Sequence, residues 1–480
     1  MDNRRTFLKK SLLGGVALGA AGSLTTPGCT GTNKGARQEN LPQRVRKGKS
    51  VMGLRCEPLP EVRIAIIGLG RGGAAAYRFA RIEGAKITVI CDLLDNRINQ
   101  VQQNLKEAGR PEAVSFSGEE DWRQICERDD IDLVYNATPW ELHVPIAVHA
   151  MKHGKHVAIE VPAAQTIDEC WELVDTAEAT QRHCAILENC CYDFFELNML
   201  NMTRQGIFGE IIHADGAYLH GIPQLWWIDT EGKYSFSSVS GDINTPSWRL
   251  KHALNGYNGC QYPTHPLGPI AQIMGINRGD RFDYLTSMSG KQYGITEYAE
   301  KTFGKDSPEA KAVYTLGDMN STSIHTANGH TITIQHNIST PRPYDRIFRL
   351  TGTKGFAIKY PEERLALDPN PEKYLNPEEF KATMLKYEHP MAKYIGEKAR
   401  AVGGHGAMDF IMDWRLIYCL QNGLPLDIDV YDTAAWSSIV ALSYLSVQNR
   451  SSSVDVPDFT YGDWKNTNPL PVIDMETTFC

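Results

Sequence analysis

Residues 62–80 read "VRIAIIGLGRGGAAAYRFA". Val62–Ile67 is almost unbroken apolar sequence, the pattern of a strand covered on both faces. Gly68, Gly70 and Gly73 follow in G-x-G-x-x-G spacing, and an Ala-rich amphipathic segment opens behind them. In this pattern the first glycine permits a tight turn and the second lets a pyrophosphate approach the backbone. The third lets helix and strand pack closely. The phosphates then sit on a helix N-terminus, where unpaired N–H groups and the dipole favour anions. A second apolar run, "KITVICD", ends in Asp92, 19 positions after Gly73. A carboxylate there suits a ribose diol and points to NAD, whereas Arg97 leaves a 2′-phosphate, and so NADP, as the alternative.

The alternation continues downstream. "DDIDLVYNATP" reads as a strand running into a loop, "WELHVPIAVHAMKHG" as a helix and "KHVAIEVP" as a strand. "TIDECWELVDTAEATQRH" is the next helix, and "CAILENCCYDFF" closes the set. Strands alternating with helices mean βαβ units and a doubly wound parallel sheet, the α/β class. Ligands of such sheets lie beyond the C-terminal strand ends. Glu160, Asn189 and the Thr138–Trp140 loop fall at such ends. A lone carboxylate closing a buried strand is costly unless something uses it, which aims Glu160 at the cofactor; the alternative is a cap for the helix after Pro162.

The remaining bulk features narrow the class. The chain has 480 residues, 42% hydrophobic and 22% charged, with net charge −8 and 11 cysteines. The acidic balance argues against nucleic acid as a partner, and the cysteines show no zinc spacing, so no metal is expected. The N-terminus, "NRRTFLKKSLLGGVALGAAGSL", pairs Arg4 and Arg5 ahead of a mild apolar stretch shorter than a membrane span. It resembles a twin-arginine export signal. Cys29 is a candidate lipid-bearing residue. The expected divisions are signal 1–30, linker 31–57, dinucleotide-binding domain 58–192, substrate and oligomerisation domain 193–460, and tail 461–480.

Taken with "YPTHPLGPIAQIMGINRGDRF", "HADGAYLH", "PRPYDR" and "GGHGAMDFIMDWRLI", the chain resembles the glucose–fructose oxidoreductase and inositol dehydrogenase family. Within it, the sequence is similar to glycoside hydrolase family 109, the NAD-dependent α-N-acetylgalactosaminidases. The resemblance implies a Rossmann domain followed by an α/β domain on an open, mostly antiparallel sheet. It implies bound NAD, a glycoside substrate and a homo-oligomer. The family usually carries Glu-Lys-Pro where this chain has Glu160-Val161-Pro162, so the proton chemistry of a dehydrogenase lysine is absent at that position. The span Gly221–Pro246 is longer than the family pattern.

The resemblance also implies a chemistry. NAD⁺ oxidises the sugar at C3, the C2 proton becomes acidic, the C1 substituent is expelled, water adds, and the hydride returns. Such a route stands apart from the paired carboxylates of most glycosidases. It assigns Tyr192, Tyr262 and His265 to catalysis and Tyr218, Arg249, Tyr262, His265 and Tyr344 to the sugar. Gly68, Gly70, Arg71, Gly72, Gly73, Asp92, Trp140, His143, Glu160, Val161 and Asn189 go to the cofactor. Histidine suits a proton shuttle; a catalytic tyrosine needs a lowered pKa. Which group is base and which acid stays open. Two other readings stay open: a sugar oxidoreductase with tightly held NAD(P), and a non-catalytic sugar-binding relative. Export favours redox neutrality, because no NAD pool exists outside the cell for exchange.

Overall fold

The computed structural model describes residues 44–229 and 245–472. The export signal, Cys29 and residues 230–244 of the long excursion lie outside them. The N-terminal half alternates strand and helix as the periodicity requires. Its elements are β1 (Val62–Ile67), α1 (Leu69–Phe79), β2 (Ala85–Cys91), α2 (Asp95–Glu107), β3 (Val114–Phe116) and α3 (Trp122–Glu127). They continue with β4 (Leu133–Asn136), α4 (His143–Lys152), β5 (His156–Ile159), α5 (Ile167–Thr180) and β6 (Cys184–Ile186). The strands lie in the order β3-β2-β1-β4-β5-β6, with every pairing parallel. The strand order reverses between β1 and β4, which opens a crevice at their C-terminal ends. α5 starts on a reciprocal cap: Thr166 accepts from the Glu169 N–H and Glu169 from that of Thr166, satisfying two of the donors a helix start leaves free.

The glycine run departs from the spacing rule at one position. A Cβ on Gly72 would lie 2.6 Å from Ile66 Cγ2, whereas one on Gly73 would meet only Val101, at 3.7 Å. Gly72 is therefore the residue that lets α1 close on β1, and Gly73 faces α2.

Beyond α6 (Phe194–Arg204) the chain builds a second sheet from β7 (Ile211–Leu219), β10 (Phe282–Ser289), β11 (Asn320–Thr326), β12 (Thr331–Asn337), β13 (Arg349–Gly352), β14 (Gly355–Ile358), β15 (Arg364–Leu367) and β16 (Val454–Asp455). Two-residue strands β8 (Trp227–Ile228) and β9 (Thr245–Pro246) pair apart from it. Its order is β15-β14-β13-β7-β12-β11-β10-β16, antiparallel at every step except β7 against β12. This is the open, mostly antiparallel sheet expected. One face is covered by helices that include α8 (Thr264–Met274), preceded in the chain by α7 (Trp248–Leu254). The outer face alternates with it, as in Ser321, Ser323 and His325.

Two late helices cross the expected domain boundary. α9 (Met408–Gln421) returns to the dinucleotide-binding half, where Arg78 Nε donates to Asp413 Oδ2 at 2.6 Å. α10 (Val430–Gln448) is buried nearly all round, as a helix of such uniform apolarity must be. Its Thr433 and Ser437 hydroxyls accept from the Ile186 and Ala163 N–H groups, and Ser446 accepts from Ser287 of β10. The linker expected over 31–57 is already part of this packed unit from Arg44 on. Arg46 pairs with Glu178 and Asp463, and the Val51 N–H donates to Tyr431. The same pairing ties down the start of the expected tail, and Arg204 holds the Leu470 carbonyl.

Candidate active site

A cavity of about 110 Å³ opens at the crevice, lined by Gly70, Arg71, Glu160, Asn189, His265, His405 and Asp409 among others. Its floor is the N-terminus of α1. Gly68 has φ 88°, and a Cβ there would strike the Ala137 carbonyl at 2.5 Å, so only glycine completes the turn. Asp92 closes β2 and ties this loop down: its Oδ2 accepts from the Leu69 N–H at 2.7 Å and its Oδ1 from Leu94 at 3.0 Å. Arg97 stands 3.4 Å away. Arg71 projects with its side chain 53% exposed and its Nε 3.8 Å from Glu160 Oε1. A glycine-rich helix N-terminus, a cation beside it and a carboxylate at the end of β2 fit a dinucleotide.

Other residues assigned to the cofactor have been given structural work. His143 is buried with Nδ1 3.0 Å from the Pro162 carbonyl and Nε2 2.8 Å from that of Thr138. It sits between the β4 loop and the β5 loop, where the neutral ring donates to one of these two carbonyls. Burial lowers its pKa, against the two carbonyls. The Trp140 indole donates to the Val161 carbonyl, and its ring meets Trp248 edge-on at 4.3 Å. Asn189 lines the cavity and donates to Asp409 at 2.6 Å. Against the upward push of burial, His405, Arg78 and Asn189 hold Asp409 well below the carboxylate range.

The aromatic and histidine residues converge from three elements. Tyr218 comes from β7, Tyr262 from the turn before α8 and His265 from the first turn of α8. Ring centroids are 4.7 Å apart for Tyr218–Tyr262, 4.9 Å for Tyr262–His265 and 5.3 Å for Tyr218–His265. The Arg249 guanidinium lies 4.0 Å from the Trp248 ring and 5.6 Å from that of Tyr262. Tyr344 meets Tyr218 at 6.1 Å, with His220 between them, 3.1 Å from the Tyr218 hydroxyl. Burial pushes the Tyr262 and Tyr218 phenols up, and Arg249 opposes it only in part. Both hydroxyls therefore keep their protons at neutral pH. In this state they are hydrogen-bond donors, whereas a tyrosine base needs a lowered pKa.

His265 comes with a partner that the sequence reading missed. Glu188 is fully buried at the end of β6, and both its oxygens lie within 3.0 Å of His265 Nδ1. Against full burial, His265 and the Cys190 N–H hold Glu188 below its ordinary value. An ionised Glu188 only accepts, so Nδ1 carries the proton and the lone pair of His265 is on Nε2. The signal was present in "CAILEN": a carboxylate closing a buried strand, the argument that picked out Glu160. Gly268 makes room for it, since a Cβ there would lie 2.5 Å from Glu188 Cγ. Cys190 stands near this pair, with ligand atoms of Glu188, Cys190 and His265 within 4.8 Å of one another. Arg346 Nη1 sits 2.7 Å from the Cys190 sulfur, a cation where a metal would need its ligand, so the trio is a hydrogen-bonded network.

Tyr192 is not brought to this group. It is buried, and the charges acting on it are Asp427 and Arg415. Its phenol is raised by burial and lies apart from the Tyr218–Tyr262–His265 cluster.

Comparison with known proteins agrees with both halves. Residues 62–187 match the oxidoreductase family with NAD-binding Rossmann fold, and residues 192–466 match the glycosyl hydrolase 109 C-terminal domain. An alpha-N-acetylgalactosaminidase of Bacteroides fragilis is 50% identical over 426 residues, 88% of this chain and 98% of its own. A glycosyl hydrolase family 109 protein of Phocaeicola vulgatus is 48% identical over 420 residues, 87% of this chain and 99% of its own. Among solved structures, an NAD binding oxidoreductase from Klebsiella pneumoniae superposes with a TM-score of 0.61 at 17% identity, covering 83% of this chain and 99% of its own. That likeness is one of fold.

Proposed function

The chain belongs to glycosyl hydrolase family 109, and from that premise we propose that it hydrolyses α-N-acetylgalactosaminides by transient oxidation. The observation that carries the reading is the Glu188–His265 pair, set among Tyr218, Tyr262 and Arg249 at the mouth of an NAD crevice. Gly70, Arg71, Asp92, Glu160 and Asn189 would hold the NAD. When bound, it supplies a hydride acceptor and donor for the sugar's C3, which makes the C2 hydrogen acidic and lets the C1 substituent leave by elimination and be replaced by water. Nε2 of His265 takes the C2 proton, and Glu188 orients the ring and stabilises the imidazolium that forms. The Tyr218 hydroxyl, 3.1 Å from His220 Nδ1, passes the proton of the C3 hydroxyl to His220 by accepting it as it gives up its own, and the Tyr262 hydroxyl donates to a sugar oxygen. Arg249, 4.0 Å from the Trp248 ring centroid, supplies a planar set of donors.

The test is incubation with p-nitrophenyl α-N-acetylgalactosaminide. Release of nitrophenol with no net NADH is the expected result. Reduction of a second sugar without nitrophenol favours an oxidoreductase, and binding without either product favours a sugar-binding relative.

Arg4 and Arg5 support export by the twin-arginine route to the periplasm or cell envelope, with Cys29 as the lipid-bearing residue. Replacing both arginines with lysine is expected to leave the protein in the cytoplasm. Tyr284 and Met288, exposed on the outer sheet face, support a homo-oligomer through that face, which light scattering on a Met288→Glu variant tests.

A further inference from the structure

α4 joins two parallel strands, so it starts at the crevice edge of the first sheet and ends at the opposite edge. Its last turn carries His149, and His153 caps it. The two are four residues apart and share one face of the helix, their ring centroids 4.3 Å apart. Glu127, the last residue of α3, reaches across with Oε1 3.0 Å from His149 Nε2. One ring nitrogen from each histidine and one carboxylate oxygen all lie within 4.8 Å of one another. His153 Nδ1 is 2.8 Å from the His149 carbonyl. A carbonyl only accepts, so Nδ1 carries the proton and Nε2 keeps its lone pair. That backbone hydrogen bond is the kind that fixes the tautomer of a metal-ligating histidine. Trp122 packs edge-on against the His149 ring at 5.5 Å and limits its rotation.

We propose that Glu127, His149 and His153 form a surface site for a Zn²⁺-like divalent transition cation. Two imidazoles and a carboxylate are the donor set such ions take, with water completing a tetrahedron. Bonds of ~2.0–2.1 Å place donors about 3.3 Å apart, and small rotations of the exposed Glu127 and His153 side chains close the trio to that spacing. The site would tie α3 to α4 at the edge of the sheet away from the crevice. Its role is therefore to join two helices and not to take part in the reaction. In sequence it is the four-residue spacing of "HAMKH", which carries no cysteine and is invisible to a search for zinc-finger patterns.

The experiment uses the full chain, stripped of metal with a chelator and titrated with Zn²⁺ by calorimetry, with Co²⁺ absorption as a spectroscopic probe. One equivalent is expected, with visible Co²⁺ bands and a rise in melting temperature on adding Zn²⁺. His149→Ala and His153→Ala should each weaken Zn²⁺ binding at least tenfold and abolish that rise. Glu127→Gln should weaken binding less. The metal-free melting temperatures show whether each variant is folded, and His153→Asn serves if the alanine variant is not. Unchanged Zn²⁺ affinity in the histidine variants, or no bound equivalent in the parent protein, overturns the proposal.

Discussion

Strands β5 and β6 lie side by side, and their two ends do opposite things. At the C-terminal ends stand two carboxylates, Glu160 and Glu188. At the N-terminal ends stand two histidines, His156 opening β5 and His183 just before β6, with ring centroids 4.9 Å apart and the His183 N–H donating to His156 Nδ1. Each carboxylate has a partner: Arg71 beside Glu160, and His265 on Glu188. The histidines lie among weaker or like charges, with Asp132 acting on His156 and Arg182 on both. Burial holds His156 down to about 3 and His183 down to about 4. These two strands present carboxylates at one end and hold buried histidines neutral at the other, and only the first end faces the crevice.

Within the functional end the two carboxylates differ again. Glu160 borders the cavity and is placed to work on the cofactor. Glu188 is enclosed and works through His265. Val161, where relatives of the dehydrogenase type carry lysine, is buried; its carbonyl accepts from Trp140 and its N–H donates to Glu160 Oε2. Under the proposed function, proton handling belongs to the β6 end.

The contrast can be broken at either edge. His265→Ala removes the base, and nitrophenol release should fall about 10³-fold in kcat. Glu188→Gln keeps the shape but loses the charge that supports the imidazolium; a fall of about 10²-fold in kcat with KM little changed is expected. A KM effect alone would make Glu188 a binding residue.

At the other edge the test is stability against pH. The native state holds His156 and His183 neutral, and the unfolded chain protonates them below their ordinary value of 6.5. Stability should therefore fall as pH drops from 7 toward 4. At pH 5 each histidine should cost about 2 kcal/mol, roughly 30-fold in the folding equilibrium. Urea melts of His156→Gln/His183→Gln should show a flatter pH dependence between 7 and 5. Glu160→Gln is expected to weaken NAD binding about tenfold, read by calorimetry, with the folded state intact. Tyr192→Phe, away from the cluster, should change kcat less than twofold. A larger loss would restore Tyr192 to the site.

Most of the first domain was legible, because its strands are apolar on both faces and its helices fill the intervals. The glycine spacing named the loop correctly but not which glycine meets β1, since Gly72 and Gly73 are adjacent and only the helix phase separates them. Tyr218, Tyr262 and His265 came from the resemblance, and no local pattern brings residues from β7 and α8 to one point. Tyr192 was misdirected because the turn over Asn189–Tyr192 takes its orientation from α9, where Asp409 holds Asn189. Asp409 is 220 residues distant in sequence, beyond the reach of any periodicity. Glu188 was within reach: the strand-end argument applied to Glu160 applies to it unchanged, but β6 has only three residues and gives a weak strand signal.

The central claim is that the glycosidic bond is broken by way of a proton leaving C2 onto His265. Hydrolysis of p-nitrophenyl α-N-acetylgalactosaminide in D₂O, followed by NMR of the released sugar, tests it directly. The account predicts deuterium at C2 and no accumulated NADH. Released sugar that keeps its C2 hydrogen in full would contradict it.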